Sequence, residues 1–277
     1  MSFTPIITAG IALGVMGLLF GCILAYASKI FAVEVDERIP AVQECLPGAN
    51  CGGCGFAGCS AAAGAIVAGK APVNVCPVGG AAAAEKIAAI MGVTVEAGEK
   101  KVAHVMCCGD DTCAKKKCEY IGLSDCVSAM RFAGGSKMCM YGCCGLGSCV
   151  QACKFDALHI VNGIAVVDEE KCVACGACVN TCPRHLIQLV PASAKVHVEC
   201  MNKDKGVDAK GVCDKACIGC MLCQKNCPEQ AITVTNFNAA IDYSKCTGCG
   251  TCVSKCPRKC IVIKEDGSVK VETPVSA

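Results

Sequence analysis

Apolar and polar positions follow three rhythms along the chain, and each predicts a different element. Ile6 to Ala27 is a run of 22 residues without a charge. As a helix it is about 33 Å long, matching a bilayer hydrocarbon core of about 30 Å. Gly10, Gly14, Gly17 and Gly21 recur on one face, continued by Ala25 and Ser28. Such a stripe of small residues lets another helix approach closely. After Cys59 an alanine-rich stretch reads as helix. Later apolar runs are short and strand-like: Leu158 to Val161, Ile164 to Val167, Leu186 to Val190, Ala231 to Val234 and Ile261 to Ile263. Asn162-Gly163 predicts a tight hairpin between the first two. Segments 107–126 and 200–213 show no regular hydrophobic period.

The first run is read as a retained transmembrane helix. Ala25-Tyr26-Ala27 has the look of a signal cleavage site, and Leu19-Phe20-Gly21-Cys22 faintly that of a lipobox. However, no Lys or Arg precedes Lys29, and the run is too long for a signal. Lys29 and Arg38 follow the helix, which favours a single pass with the bulk of the chain on the cytoplasmic side of the cell inner membrane. That compartment is reducing and argues against disulfides.

Composition then narrows the chemistry. The 277 residues include 31 Cys, no Trp, four Tyr and seven Phe, so small modules stapled by cysteine are expected in place of large apolar cores. A net charge of +2 gives no sign of a nucleic-acid partner. No G-x-G-x-x-G loop stands between a strand and a helix, so nucleotide chemistry belongs on a partner. His104, His159, His185 and His197 are scattered and read as surface or turn residues.

Secreted disulfide scaffolds, zinc sites and iron–sulfur sites compete as uses of cysteine, and spacing separates them. Cys139, Cys143, Cys149, Cys153, Cys172, Cys175, Cys178 and Cys182 recur 74 residues later as Cys213, Cys217, Cys223, Cys227, Cys246, Cys249, Cys252 and Cys256. A shared offset of this kind is the mark of duplication. Each copy ends in C-x2-C-x2-C-x3-C-P, with Pro183 and Pro257 closing the runs. That run ligates [4Fe–4S] clusters; zinc ribbons pair two C-x2-C knuckles across a spacer instead. Farther upstream, Cys51, Cys54, Cys59 and Cys76 stand in a glycine-rich loop and a Cys-Pro step. The glycines let the backbone wrap closely and aim amides at anionic sulfur.

Both repeats resemble dicluster bacterial-type ferredoxins. The resemblance implies Cys217, Cys220, Cys223 and Cys256 around one cluster, and Cys227, Cys246, Cys249 and Cys252 around another. In the first repeat it implies Cys153, Cys172, Cys175 and Cys178. The remaining set departs from the pattern, because Leu146 stands where a cysteine is expected. Cys139 is the expected substitute and Cys144 the second choice, giving Cys139, Cys143, Cys149 and Cys182. The upstream module resembles the four-cysteine [4Fe–4S] domain of the Rnf complex B subunit and of a corrinoid protein subunit. One membrane helix, this module and two ferredoxin units, in that order, resemble the Rnf B subunit along essentially the whole chain. Asp125-Cys126, Gly134-Gly135 and Tyr141-Gly142-Cys143 are similar to its long form in anaerobes.

The resemblance implies an electron-relay subunit of an ion-pumping ferredoxin:NAD+ oxidoreductase, translocating Na+ or H+. Its implied partners are soluble ferredoxin as donor and membrane and flavin- or NAD-binding subunits. A polyferredoxin of another membrane enzyme, such as a hydrogenase, and a membrane-tethered zinc module stay as alternatives. The expected fold is α+β: a transmembrane helix at 1–28, a linker at 29–44, the four-cysteine domain at 45–92, a cysteine-rich connector at 93–137, ferredoxin-like units at 138–190 and 213–265 joined by a connector at 191–212, and a tail at 266–277. Five [4Fe–4S] clusters take twenty cysteines. Cys22, Cys45, Cys107, Cys118, Cys144 and Cys260 remain, together with Cys108, Cys113, Cys126, Cys200 and Cys213, and a sixth cluster is expected to draw on the latter five. Lys100-Lys101 and Lys115 to Lys117 are a candidate docking patch for an acidic ferredoxin, beside the plainer reading of a solvated surface.

Overall fold

The computed structural model describes residues 4–30, 36–94, 99–132 and 134–264. Residues 31–35 of the expected linker and the expected tail at 266–277 lie outside them. Helix α1, Thr4–Ile30, contains an apolar stretch over Gly10–Lys29 with mean hydropathy 2.1, none of it buried. Leu13, Leu18 and Leu24 stand exposed along it. Among the described residues, no other part of the chain comes within 4 Å of a Cβ placed on Gly10, Gly14, Gly17 or Gly21. Each large apolar side chain left in water forgoes about 1.5–3 kcal/mol, so this surface suits lipid or another helix.

Helices α2 (Arg38–Cys45), α3 (Cys59–Val67) and α4 (Gly80–Met91) form a small module. Val42, Leu46, Ala62, Ala63, Ile66 and Ile87 make its core. Alanines let the three helices approach closely, and α4 ends on Gly92 in the left-handed conformation.

The remaining described residues form four two-stranded antiparallel sheets with short helices between them. In chain order the elements are β1 (Lys101–Val105), α5 (Cys126–Arg131), α6 (Ser148–Gln151), β2 (Leu158–Val161), β3 (Ile164–Val167), α7 (Ala177–Thr181), β4 (Ile187–Pro191), β5 (Val196–Val198), α8 (Gly206–Val212), α9 (Leu222–Lys225), β6 (Ile232–Thr235), β7 (Asn238–Ile241), α10 (Thr251–Lys255) and β8 (Ile261–Ile263). Strands β2 and β3 form the expected hairpin, and Asn162 and Gly163 both take positive φ at its turn. Asn236 and Phe237 do the same between β6 and β7.

Two strands arise where connectors were expected. β1, inside 93–137, pairs with β4, and β5, inside 191–212, pairs with β8. Each ferredoxin-like unit therefore begins earlier than its cysteine grid. The units also interlock. Met106, Cys108, Cys113 and Ala114 pack into the core of the second unit, and Ala114 bridges to Cys213. At the seam, His104 of β1 and His197 of β5 stack with ring centroids 4.2 Å apart. Both are buried, not the surface or turn residues expected.

Candidate iron–sulfur centres

In the N-terminal module Cys51, Cys54, Cys59 and Cys76 line one hollow of about 320 Å³. Asn50 Oδ1 accepts from the Cys59 amide at 2.8 Å and fixes the start of α3, while Cys76 Sγ accepts from the Gly79 amide at 3.3 Å. In the second unit Cys227, Cys246, Cys249 and Cys252 line a hollow of about 300 Å³. Cys217, Cys220, Cys223 and Cys256 line another of about 340 Å³. Both groupings coincide with those the resemblance implied.

Cys260 joins this last hollow, although the sequence offered it no role. Its thiol lies 3.7 Å from Cys256 Sγ. Hydrogen bonding to Cys260 lowers Cys217 to about 6 and Cys256 to about 5, and pushes Cys260 itself up.

In the first unit burial raises the Cys178 thiol to about 11, with Cys172, Cys175 and Cys153 as the neighbours that add to it. Ala103 of β1 donates its amide to Cys172 Sγ at 3.3 Å, and Ala157 donates to Cys153 Sγ at 3.4 Å. Strand β1 is thus part of this cradle.

The other hollow of that unit, about 410 Å³, departs from expectation. Cys143, Cys149 and Cys182 line it together with Cys126 and Cys144. Cys139 is absent from it and lines a different hollow. Asp125 caps α5 by accepting from the Ser128 amide at 2.7 Å and takes the Ser148 hydroxyl at 2.9 Å, which in turn accepts from the Cys126 amide at 2.8 Å. This clamp brings Cys126 beside Leu146, whose amide hydrogen-bonds its sulfur. A hydrogen bond from Cys144 is the largest influence on Cys126 and lowers it to about 5; the same bond pushes Cys144 up. The hollow beside Leu146 thus gains a cysteine from another segment of the chain.

A further hollow of about 370 Å³ lies between the units, lined by Cys107, Cys108, Cys139, Cys200 and Cys213. Its two sides are related by the duplication. Cys143 donates its amide to Cys107 Sγ at 3.3 Å, and Cys217 donates to Cys200 Sγ at 3.3 Å. Gly109 donates to Cys107 Sγ at 3.4 Å, and Asn202 to Cys200 Sγ at 3.5 Å. Arg184 holds the carbonyls of Cys139, at 3.1 Å, and Gly142; Arg258 holds those of Cys213, at 2.9 Å, and Ala216, at 3.4 Å. Lys137, buried in the same wall, donates to the carbonyls of Gly109 and Gly163, each at 2.7 Å.

Of the five cysteines expected at an extra centre, Cys108, Cys200 and Cys213 line this hollow and Cys126 does not. Cys113 sits behind the wall and donates to the Cys108 carbonyl at 3.3 Å. Cys107 and Cys139 were missed. A sequence signal for Cys107 existed: His-Val-x-Cys occurs at 104–107 and again at 197–200.

Burial raises Cys107 to about 11 and Cys200 and Cys213 to about 12. Thiols this reluctant to ionise carry charge only when a cation shares it, and soft thiolate sets select iron–sulfur clusters, zinc or copper(I). Among the described residues no three Cys, His, Asp or Glu converge on a point that would hold one metal ion. Zinc draws four thiolates to about 2.3 Å from a single centre. Hollows lined by four or more cysteines, with amides aimed at sulfur, fit a cluster better.

Comparison with known proteins agrees. The model described as "Putative Fe-S cluster" matches residues 46–78, "4Fe-4S binding domain" matches 165–188, and "4Fe-4S dicluster domain" matches 216–260. The chain is 52% identical over 84% of its length to the B subunit of the Na+-translocating ferredoxin:NAD+ oxidoreductase complex of Acetobacterium woodii, covering 70% of that protein. It is 45% identical over 83% of its length to the B subunit of the ion-translocating oxidoreductase complex of Methanosarcina acetivorans, covering 88% of it. To the B subunit of the proton-translocating ferredoxin:NAD+ oxidoreductase complex of Clostridium ljungdahlii it is 44% identical over 84% of its length, covering 83% of that protein. The chain belongs to the family of Rnf B subunits. An Rnf B subunit is an electron-relay subunit of its oxidoreductase complex. In this Rnf B subunit the single-cluster match at 165–188 leaves out 139–153, the stretch containing Leu146.

Proposed function

We propose that this chain carries electrons from reduced ferredoxin toward the flavin- and NAD-binding subunits of an Rnf complex, through six cysteine-held [4Fe–4S] centres. A [4Fe–4S] cluster supplies reversible one-electron chemistry at a potential set by its surroundings. The proposed ligand sets are Cys51, Cys54, Cys59 and Cys76; Cys153, Cys172, Cys175 and Cys178; Cys126, Cys143, Cys149 and Cys182; Cys107, Cys139, Cys200 and Cys213; Cys217, Cys220, Cys223 and Cys256; and Cys227, Cys246, Cys249 and Cys252.

The observation that carries this reading is the seam. Cys143 and Cys217 each turn a thiol toward a hollow of their own unit and an amide toward a sulfur of the hollow between units. One residue on each side therefore touches two neighbouring centres, and the two units become one continuous path. Amides aimed at sulfur and the buried Lys137 stabilise negative charge there.

Ferredoxin uptake is assigned to the second unit, where Cys220 and Cys249 are exposed. The lysine cluster at 115–117 fits this role less well, since Lys116 is paired with Asp111 at 3.1 Å. Helix α1 anchors the chain, with Lys29 and Arg38 holding the remainder on the cytoplasmic side.

Anaerobic iron and sulfide analysis of the full chain tests the count. About 24 Fe per chain is expected, and about 20 would remove the centre at the seam.

A further inference from the structure

Gly53 lies between Cys51 and Cys54 in the N-terminal module, and it faces the first ferredoxin-like unit. A Cβ on Gly53 would overlap the Cys175 carbonyl oxygen and come within 3.0 Å of Cys175 Cα and 3.1 Å of its carbonyl carbon. All three are backbone atoms, which cannot swing aside as the end of a side chain would. Gly53 does not have a left-handed φ, unlike Gly52 at +74° and Gly55 at +84°. Its own loop therefore tolerates a side chain at this position. It is the approach to the Cys175 backbone that demands glycine here.

The duplication supplies a comparison. Cys249 is the counterpart of Cys175, one repeat later. Cys249 is exposed, whereas Cys175 is half-buried. One copy of the same ligand loop is covered by the N-terminal module and the other is left open.

We propose that the Gly53–Cys175 backbone contact is the junction across which the first ferredoxin-like unit and the membrane-proximal module exchange electrons, with Gly53 as the positioning residue. One electron crosses, oxidising the centre on one side and reducing the centre on the other, with no bond made or broken. This gives the path a direction in space: the open copy of the loop faces soluble donors, and the covered copy leads to the module next to α1. The inference rests on the cluster reading above.

The test uses Gly53→Ala and Gly53→Val in the full complex, with Gly64→Ala as control, since nothing lies within 4 Å of a Cβ at Gly64. Iron and sulfide content, pulsed-EPR relaxation coupling between the two centres, and freeze-quench reduction of the module's centre are measured. The Gly53 variants are expected to keep their iron, lose the magnetic coupling and slow reduction of the module's centre by about tenfold or more, valine more than alanine. Full coupling and an unchanged rate in Gly53→Val would overturn the junction. Loss of the module's iron in Gly53→Ala would also overturn it, because the loop itself is held to accept a side chain. If the wild-type chain lacks iron and sulfide, the cluster reading itself fails, a result distinct from either.

Discussion

The amide of Cys143 donates to the sulfur of Cys107 at 3.3 Å, across 36 residues of chain. The same bond, of the same length, joins Cys217 to Cys200. Two cysteines outside both ferredoxin runs are thus bound to the runs by the fold. Replacing Cys107 and Cys200 together by Ala should lower iron by about 4 per chain and leave the other centres intact. Iron analysis with EPR of the dithionite-reduced protein checks this. Unchanged iron would assign Cys107 and Cys200 a purely structural role.

Cys126 lines the hollow for which the resemblance implied Cys139, and Cys139 lines the hollow between the units. Cys126→Ser should alter the EPR signal of the centre held by Cys143, Cys149 and Cys182. Cys139→Ser should leave that signal alone and alter the centre at the seam. The reverse pattern would restore the ligand set that the resemblance implied.

Arg184 and Arg258 clamp the turns that present Cys139 and Cys213. A hydrogen bond from a charged group contributes about 1.5–3 kcal/mol. Arg184→Met should cost about that much, and thermal unfolding of the anaerobic protein should shift down accordingly. Arg258→Met should behave alike, and Lys at either position should recover only part, lacking the planar fork.

Burial holds His104 down to about 3 and His197 down to about 4, from an ordinary value of 6.5. Tyr243 Oη sits 2.9 Å from His197 Nδ1 and the Ala194 carbonyl 3.0 Å from Nε2; burial, the largest influence, outweighs the carbonyl and keeps this ring neutral. Between about pH 4 and 6.5 the unfolded chain takes up protons that the folded chain refuses. Stability is therefore full above pH 6.5 and falls as the pH drops, by up to about 1.4 kcal/mol per unit and per histidine. His104→Phe should flatten this slope in denaturation experiments between pH 5 and pH 7; an unaltered slope would place the acid sensitivity elsewhere.

Much of the protein was legible before any fold was known. The run from Ile6 to Ala27 became a helix, exposed over Gly10–Lys29, because it is uncharged and long enough to match a bilayer core. Asn162-Gly163 became a hairpin turn because those two residues tolerate positive φ. In the second unit Cys217, Cys220 and Cys223 share one hollow and Cys246, Cys249 and Cys252 another, since tight C-x2-C spacing leaves the backbone little choice. Local chemistry of this kind acts over a few residues, and sequence states it directly.

Tertiary structure decided the remainder, where partners are far apart in the chain. Strand β1 finds β4 some 85 residues away, which turned a supposed connector into part of the first unit. Cys126 reaches the place of the missing cysteine only because Asp125 and Ser148 clamp it there. Cys107, Cys139, Cys200 and Cys213 share one hollow because two copies of a fold dock face to face. Spacing records how far apart cysteines lie along the chain; how the two units meet depends on which surfaces they bury together.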